Sequence, residues 1–297
     1  MTRLPVGRGV TVDVAASTAN LGAGFDALGL ALDWRDTMTL EVSDRPEFEL
    51  TGVGADTVPQ DDTHLVIRAC RAALEALDAE VPALRLRAHN TIPHGSGLGS
   101  SAAAVVAGAA AAWGLARPGV DPDEDWLLER TFAEEGHGDN LGASIRGGAV
   151  LAWSDAAPHA VSLPVHPDVA AVAYTAPISV ATRSARGVLP RDVPHGDATM
   201  NLGRAALLVH ALEHRPDLLF DATIDRLHQP YRADLMPASW QLVERLRADG
   251  FAAFISGAGP TVVALGTRSA LASAPEADGF TRHALEVGSG VGLRNFG

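Results

Sequence analysis

Apolar and polar residues alternate in short runs through the first third of the chain, and positions 9–15, 37–43, 48–51 and 84–91 read as strands. Between them the spacing changes. Within 63–77 the apolar residues fall at Leu65, Val66, Ala69, Cys70, Ala73, Leu74 and Leu77, which is the spacing of one helical face. Residues 100–113 are alanine-rich and follow a run of glycines, so they predict a buried helix. A further helix is expected over 126–135, with Pro122 and acidic residues at its start, and a strand over 148–153. The polar, proline-bearing stretch 154–167 reads as an interdomain link, which divides the chain into 1–158 and 159–297. Beyond it, 169–175 predicts a strand, 196–213 and 239–249 predict helices, and 252–256 with 262–265 a strand pair. Strands and helices are mixed without regular βαβ alternation. The expected fold is therefore α+β in two domains, not a doubly wound sheet. No internal repeat, heptad run or low-complexity tail is evident.

Composition narrows the chemistry. The 297 residues are 47% apolar and 20% charged, the balance of a globular chain. The longest apolar run, at 102–113, is too short to span a bilayer, and the first ten residues lack the apolar core of a secretory signal. The single cysteine, Cys70, excludes an intramolecular disulfide and a cysteine-based zinc cage. Together these features predict a cytoplasmic protein. All 23 basic residues are arginine. Without lysine there is no Walker A loop, no protein-kinase strand lysine, and no amine for pyridoxal phosphate or Schiff-base chemistry. The net charge of −13 argues against nucleic-acid or anionic-membrane partners. An anionic ligand would need a local field from arginines or helix N-termini.

One stretch can supply such a field. In PHGSGLGSSAAA at 93–104 a strand ends, Gly95, Gly97 and Gly99 form a loop without side-chain bulk, and Ser100 and Ser101 open the alanine-rich helix. Glycines let backbone N–H groups approach an anion, and the helix start adds unpaired donors and a positive dipole end. This is a phosphate cradle that needs no lysine. A metal on that phosphate wants one or two protein oxygens, and Glu134 or Glu135, just before Gly136, could join the Ser101 hydroxyl. Two other stretches are chemically dense. STANLGAGFDALG at 17–29 sets Asn20 and Asp26 among glycines, as a ligand wall or as a turn with Asp26 capping a helix. SGAGPTVVAL at 256–265 opens as a tight turn or as a third wall of the same pocket.

Taken in order, these three motifs, with EGHGDN at 135–140, TRSARGVLP at 182–190 and PYRADLMP at 230–237, resemble the GHMP kinase superfamily of galacto-, homoserine, mevalonate and phosphomevalonate kinases. Within it they are most similar to the bacterial enzymes that act on homoserine. The resemblance implies an N-terminal domain like domain 2 of ribosomal protein S5 and a ferredoxin-like C-terminal domain. It implies ATP-dependent phosphorylation of the side-chain hydroxyl of L-homoserine to O-phospho-L-homoserine, in threonine biosynthesis. Carried over residue by residue, Pro93, Gly95, Ser96, Gly97, Leu98, Gly99, Ser100, Ser101, Ala102 and His64 belong to the ATP site, and Ser101 and Glu135 to Mg²⁺. Asn20, Asp26, His137, Asn140, Arg186 and Arg232 belong to the homoserine pocket, and Asn140, Arg186 and Thr182 to catalysis. The chemistry is coherent: an arginine fork suits the substrate carboxylate, and Asp26 suits its ammonium. Some relatives place an aspartate base where Asn140 stands. An amide cannot take a proton at neutral pH, so either the phosphate itself receives it or another group, such as His137 or Asp26, does; no dedicated protein base is expected, with Asp139 next in line. Ala15 and Ala23 replace common prolines, and His64 replaces a common asparagine near the adenine, which bears on base selectivity. A homodimer is compatible with the resemblance. The rivals are a related kinase for a sugar, shikimate or a mevalonate-type acid, which would not need Asp26, Arg186 and Arg232, and a non-catalytic binding protein, which would not need Ser101 and Glu135.

Overall fold

A computed structural model describes residues 1–177 and 182–297, with the side chains of 182–184 outside the description. Two strands organise the N-terminal half. β2 (Gly9–Ala19) and the long β3 (Leu28–Ser43) pair antiparallel, with a register shift between Ala15 and Ala16. That shift lets β3 change partners along its length. Its second half pairs with β6 (Ala83–Asn90), and its first residues with β7 (Ala149–Ser154). β4 (Glu47–Gly52) lies parallel to β6, and β1 (Thr2–Arg3) pairs with β5 (Ala79–Glu80) at the rim.

Helices cover one face of this sheet. α1 (Leu65–Ala76) buries Val66, Ile67, Ala69, Cys70, Ala73 and Leu74, the stripe its spacing predicts. α2 (Ser100–Ala116) is buried on nearly all sides, since it lies between α1, α3 (Glu124–Glu135) and the sheet. Its small residues permit this. A Cβ on Gly108 would stand 2.4 Å from the Val66 carbonyl oxygen of α1. α3 starts at the Asp123 cap, whose carboxylate accepts from the Asp125 and Trp126 amides, and ends at Gly136 in the left-handed conformation. α4 (Gly138–Arg146) follows at once, over β7 and β3.

Two expectations are corrected. The stretch 154–167 is not simply a link, because β8 (Pro158–Leu163) pairs antiparallel with β7 and belongs to the first sheet. The division at 158/159 is not respected by the C-terminus either. β13 (Gly292–Phe296) returns to pair with β2, completing a seven-stranded sheet.

The second sheet is antiparallel, in the order β10 (Ala252–Ile255), β11 (Val262–Thr267), β9 (Val169–Thr175), β12 (Thr281–Glu286). The alternation along β9 explains its burial on both sides. Val169, Ala171 and Ala173 join the main core, while Ala170, Val172 and Tyr174 join a second core with Leu242, Val243 and Leu246 of α9 (Pro237–Ala248). Between β9 and α9 lie α5 (Thr182–Gly187), α6 (His195–Glu213), α7 (Leu219–Ala222) and α8 (Gln229–Arg232), and α10 (Arg268–Leu271) follows β11. The fold is α+β, as the pattern predicts, and among the described residues parallel pairing is confined to β4–β6 and β1–β5.

Candidate active site

The site forms where the two sheets meet, at the end of β2. Ser17 donates its amide to the Leu98 carbonyl at 3.0 Å, and Thr261 donates its amide to Ser96 at 3.0 Å. The Ser256 hydroxyl bridges Thr18 Oγ1 (2.9 Å) and the Gly97 carbonyl (2.6 Å). The three motifs are therefore stitched into one wall. Two glycines are required for this closeness: a Cβ on Gly97 would stand 2.3 Å from the Ser256 carbonyl, and one on Gly99 would stand 2.1 Å from Ser17 Oγ. Both have positive φ as well.

Gly99 is the N-cap of α2 and contributes no side-chain cap. The first amides of this 17-residue helix therefore face the pocket with donors free for an anion. Gly95, Ser96, Gly97, Gly99, Ser100, Ser101 and Ala102 line it. Ser96 is also structural, since its hydroxyl donates to the Pro93 carbonyl. Two members of the expected ATP set, Pro93 and Leu98, stand apart from this lining. Neither lines the pocket, and Leu98 is fully buried, so both shape the loop from behind.

Ser101 donates its hydroxyl to the Glu135 carboxylate, while Glu134 turns away to pair with Arg68. This separates the two glutamates. Burial pushes the Glu135 carboxyl up, an environment that a bound cation would reverse. A hydroxyl and a carboxylate are the hard oxygen donors that Mg²⁺ on a polyphosphate needs from a protein.

Across the loop, Asp26 grips Arg186 in a two-pronged pair of 2.8 and 3.0 Å. Arg232 is 3% exposed and lines the same pocket. Its Nε donates to the Ala185 carbonyl, and its Nη1 to the Gly257 carbonyl and to His228 Nδ1. Among the described residues it has no carboxylate partner. Burial, with Arg186 nearby, lowers its pKa from the usual arginine value. His137, the N-cap of α4, also faces the pocket, and burial lowers its pKa. Asn140 is oriented by Ser17, whose hydroxyl donates to Asn140 Oδ1 at 2.9 Å. That leaves the Nδ2 donor for the pocket.

Asn20 lines the pocket, but its amide is already engaged. Oδ1 accepts the Asp26 amide at 3.0 Å, and Nδ2 donates to Gly257 at 2.9 Å. Its observed part is to hold the turn that carries Asp26, where Asn20, Leu21 and Asp26 all have positive φ. The alternative of Asp26 as a helix cap is not observed. Thr182 opens α5, with its side chain outside the described residues.

A second chamber shares Gly95, Ser100 and Ser101 with the first and is lined by Met38, Val58, Pro59, Leu65 and Val66. His64 lines it and also caps α1 through Nδ1. Sequence reasoning missed Asp36, Asn90 and His94 on its wall. Only Asn90 and His94 carried a signal, by flanking the start of the glycine loop. Asp139 was noted only as next in line for a proton. It is 3% exposed, lines the first chamber, and accepts the Asn140 amide at 2.8 Å.

Comparison with known proteins agrees with this geometry. Residues 64–148 match the family described as GHMP kinases N terminal domain, and 206–277 the family described as GHMP kinases C terminal. The chain is 48% identical to the homoserine kinase of Corynebacterium efficiens over 96% of its length and 93% of that protein's. It is 49% identical to that of Cutibacterium acnes over 95% and 98%. Among solved structures, the homoserine kinase of Cytophaga hutchinsonii superposes with a TM-score of 0.85 at 28% identity, covering 97% of each chain.

Burial pushes the Asp139 carboxyl up to about 6. A raised carboxylate favours the folded state below its unfolded value near 3.8, and that contribution is lost as pH rises through about 6. Asp139→Asn is therefore expected to raise the thermal midpoint of the ligand-free protein at pH 7.5, by a difference on the order of 2–3 kcal/mol, and the gain should shrink towards pH 5. A midpoint at or below wild type at pH 7.5 would contradict the burial argument.

Proposed function

The chain belongs to the GHMP kinase family, and on that premise we propose that it transfers the γ-phosphoryl group of ATP to the side-chain hydroxyl of L-homoserine. The observation that carries the substrate assignment is Arg232, a buried guanidinium without a carboxylate partner among the described residues, beside a carboxylate already paired to a second arginine. A zwitterionic amino acid fits this arrangement. Its carboxylate answers Arg232 and Arg186, and its ammonium answers Asp26. A sugar would leave the Arg232 charge without a match, and neither a sugar nor shikimate brings an ammonium for Asp26. The homoserine kinases to which the chain is about half identical support the same reading, which places the product in threonine biosynthesis.

In this reading the triphosphate lies on the loop 95–101 and the first amides of α2, which neutralise its oxygens without lysine. Ser101 and Glu135 would hold Mg²⁺, which when bound offsets the charge of the β- and γ-phosphates. Asn140 points its Nδ2 donor into the pocket, where it steadies the transferring group or the acceptor oxygen. It cannot serve as the base, because a neutral amide does not take a proton at neutral pH, and its Oδ1 accepts the Ser17 hydroxyl. The acceptor oxygen forms the new P–O bond, the bond to the ADP oxygen breaks, and the hydroxyl proton leaves on the transferred phosphoryl group. The reaction is placed in the cytoplasm, and a symmetric homodimer is the proposed assembly. No helix among the described residues is long and apolar enough to cross a membrane.

A coupled ADP-release assay with Mg-ATP and a panel of L-homoserine, D-homoserine, L-serine, L-threonine, shikimate, mevalonate and galactose tests the assignment. Saturable turnover is expected on L-homoserine, and Arg232→Ala should raise its KM at least about 30-fold, as when one partner of a buried charge pair is removed. Turnover on a non-amino-acid alcohol with silence on homoserine would sink it.

The second chamber supports adenine as the base. His64 Nδ1 accepts the Val66 amide, so a neutral ring presents its Nε2–H as a donor, and burial keeps it neutral by lowering its pKa. Asn90 Oδ1 is buried with no partner among the described residues, and the Asp36 carboxylate, whose Oδ1 accepts the Thr91 and Ile92 amides, stands on the same wall. One donor with two acceptors complements the ring nitrogen and exocyclic amine of adenine, and opposes the carbonyl of guanine or hypoxanthine. ADP should bind at least about tenfold more tightly than IDP by calorimetry, and Asn90→Leu should narrow that ratio. Equal affinities in the wild type would refute base reading while leaving the kinase assignment standing.

A further inference from the structure

His228 lies outside the pocket and is fully buried. Its Nδ1 meets Arg232 Nη1 at 3.2 Å, and its Nε2 meets the Gly22 carbonyl at 2.8 Å. A guanidinium can only donate and a carbonyl can only accept, so the tautomer is determined: Nδ1 is bare and Nε2 carries the proton. Phe25 stacks on the ring at 4.7 Å and 16°. Asp225 closes the remaining side. Its carboxylate accepts the amides of Leu227, His228 and Gln229 and lies 3.4 Å from Nε2. The imidazole is thus held on both edges and one face, and its one free acceptor is aimed at Arg232. Burial lowers its pKa, which keeps that acceptor bare at neutral pH.

Arg232 needs such a partner. Its other bonds go to two carbonyls on separate segments, Ala185 in α5 and Gly257 in the turn after β10, and Phe25 lies under it at 5.3 Å. Gly22 and Phe25 belong to the same turn as Asp26. His228 therefore ties the turn that carries the ammonium-binding carboxylate to the guanidinium that faces the carboxylate. We propose that His228 is a positioning residue for the amino-acid substrate: it sets the rotation of the Arg232 guanidinium and its spacing from the Asp26 turn, and so determines how well the two charged ends of the substrate are met together. This rests on the reading of Arg232 as the carboxylate grip.

Two near-isosteric substitutions separate positioning from packing. Asparagine can place its Oδ1 where Nδ1 stands and keeps the acceptor for Arg232. Glutamine can place its amide N–H where Nε2 stands, keeping the donor for Gly22 and losing that acceptor. His228→Gln is expected to raise the KM for L-homoserine about tenfold, the worth of about 1.4 kcal/mol, with kcat and the KM for Mg-ATP within about twofold of wild type. His228→Asn should hold the L-homoserine KM within about threefold. Equal effects of the two substitutions, or parallel rises in both KM values, would overturn the proposal in favour of simple packing. Nitrogen-15 NMR of histidine-labelled wild-type protein, with His228 assigned by site, needs no variant kinetics. A bare Nδ1 and protonated Nε2 at pH 7.5 are expected, and the opposite tautomer or a charged ring would overturn it. If Arg232→Ala leaves the L-homoserine KM unchanged, it is the grip itself that fails, whatever the tautomer.

Discussion

Everything in this site hangs on the end of β2 and the residue that follows it, where Ser17, Thr18 and Asn20 direct their hydrogen bonds to other segments. Ser17 holds the phosphate loop through its amide and Asn140 through its hydroxyl. Thr18 meets Ser256, which also holds Gly97. Asn20 joins the Asp26 turn to Gly257. Side chains and single backbone hydrogen bonds, not further strand pairing, thus connect the nucleotide half to the acceptor half. The glycines of both loops follow from this, since any Cβ at 97 or 99 would occupy the space those bonds cross.

The electrostatics answer a problem posed by composition. A chain of net charge −13 must bind a polyphosphate and a substrate carboxylate. It concentrates positive potential in one place, from the uncapped start of α2 and from two arginines that share the Phe25 ring. The arginines suit a buried site, because guanidinium holds its charge where an ammonium would tend to lose it. Asp26 keeps that concentration from being purely repulsive, by pairing with Arg186.

How much of this was legible depended on the range of the interactions. Local patterns were enough for α1 and for β9, whose apolar spacing or alternation is decided by burial within a few residues. The glycine loop was legible because close backbone approach leaves a compositional trace. α4 was not, since Gly138 and Gly142 mask a helix formed by packing on β7 and β8. β8 looked like a link because Pro158 opens it and Pro164 follows it. β13 is stabilised by β2, nearly the whole chain away. The same limit applies to the site. Asp26 and Arg186 were each singled out, but their mutual pair spans 160 residues and has no local signature. Asn20 looked like a ligand because a buried amide at a turn gives the same sequence pattern whether it holds a substrate or the turn. Asp36 sits in an unremarkable part of β3, and only the fold brings it to the second chamber.

The seam is tested most directly by Ser256→Ala, which removes one hydroxyl that touches both Thr18 and Gly97 and leaves the backbone path intact. Steady-state kinetics on the folded variant should show the KM values for Mg-ATP and for L-homoserine rising together, since loosening this junction displaces the phosphate loop and the Gly257 turn at once. Unchanged values for both substrates, in a protein of near wild-type thermal midpoint, would contradict the claim that this junction positions the two halves of the site.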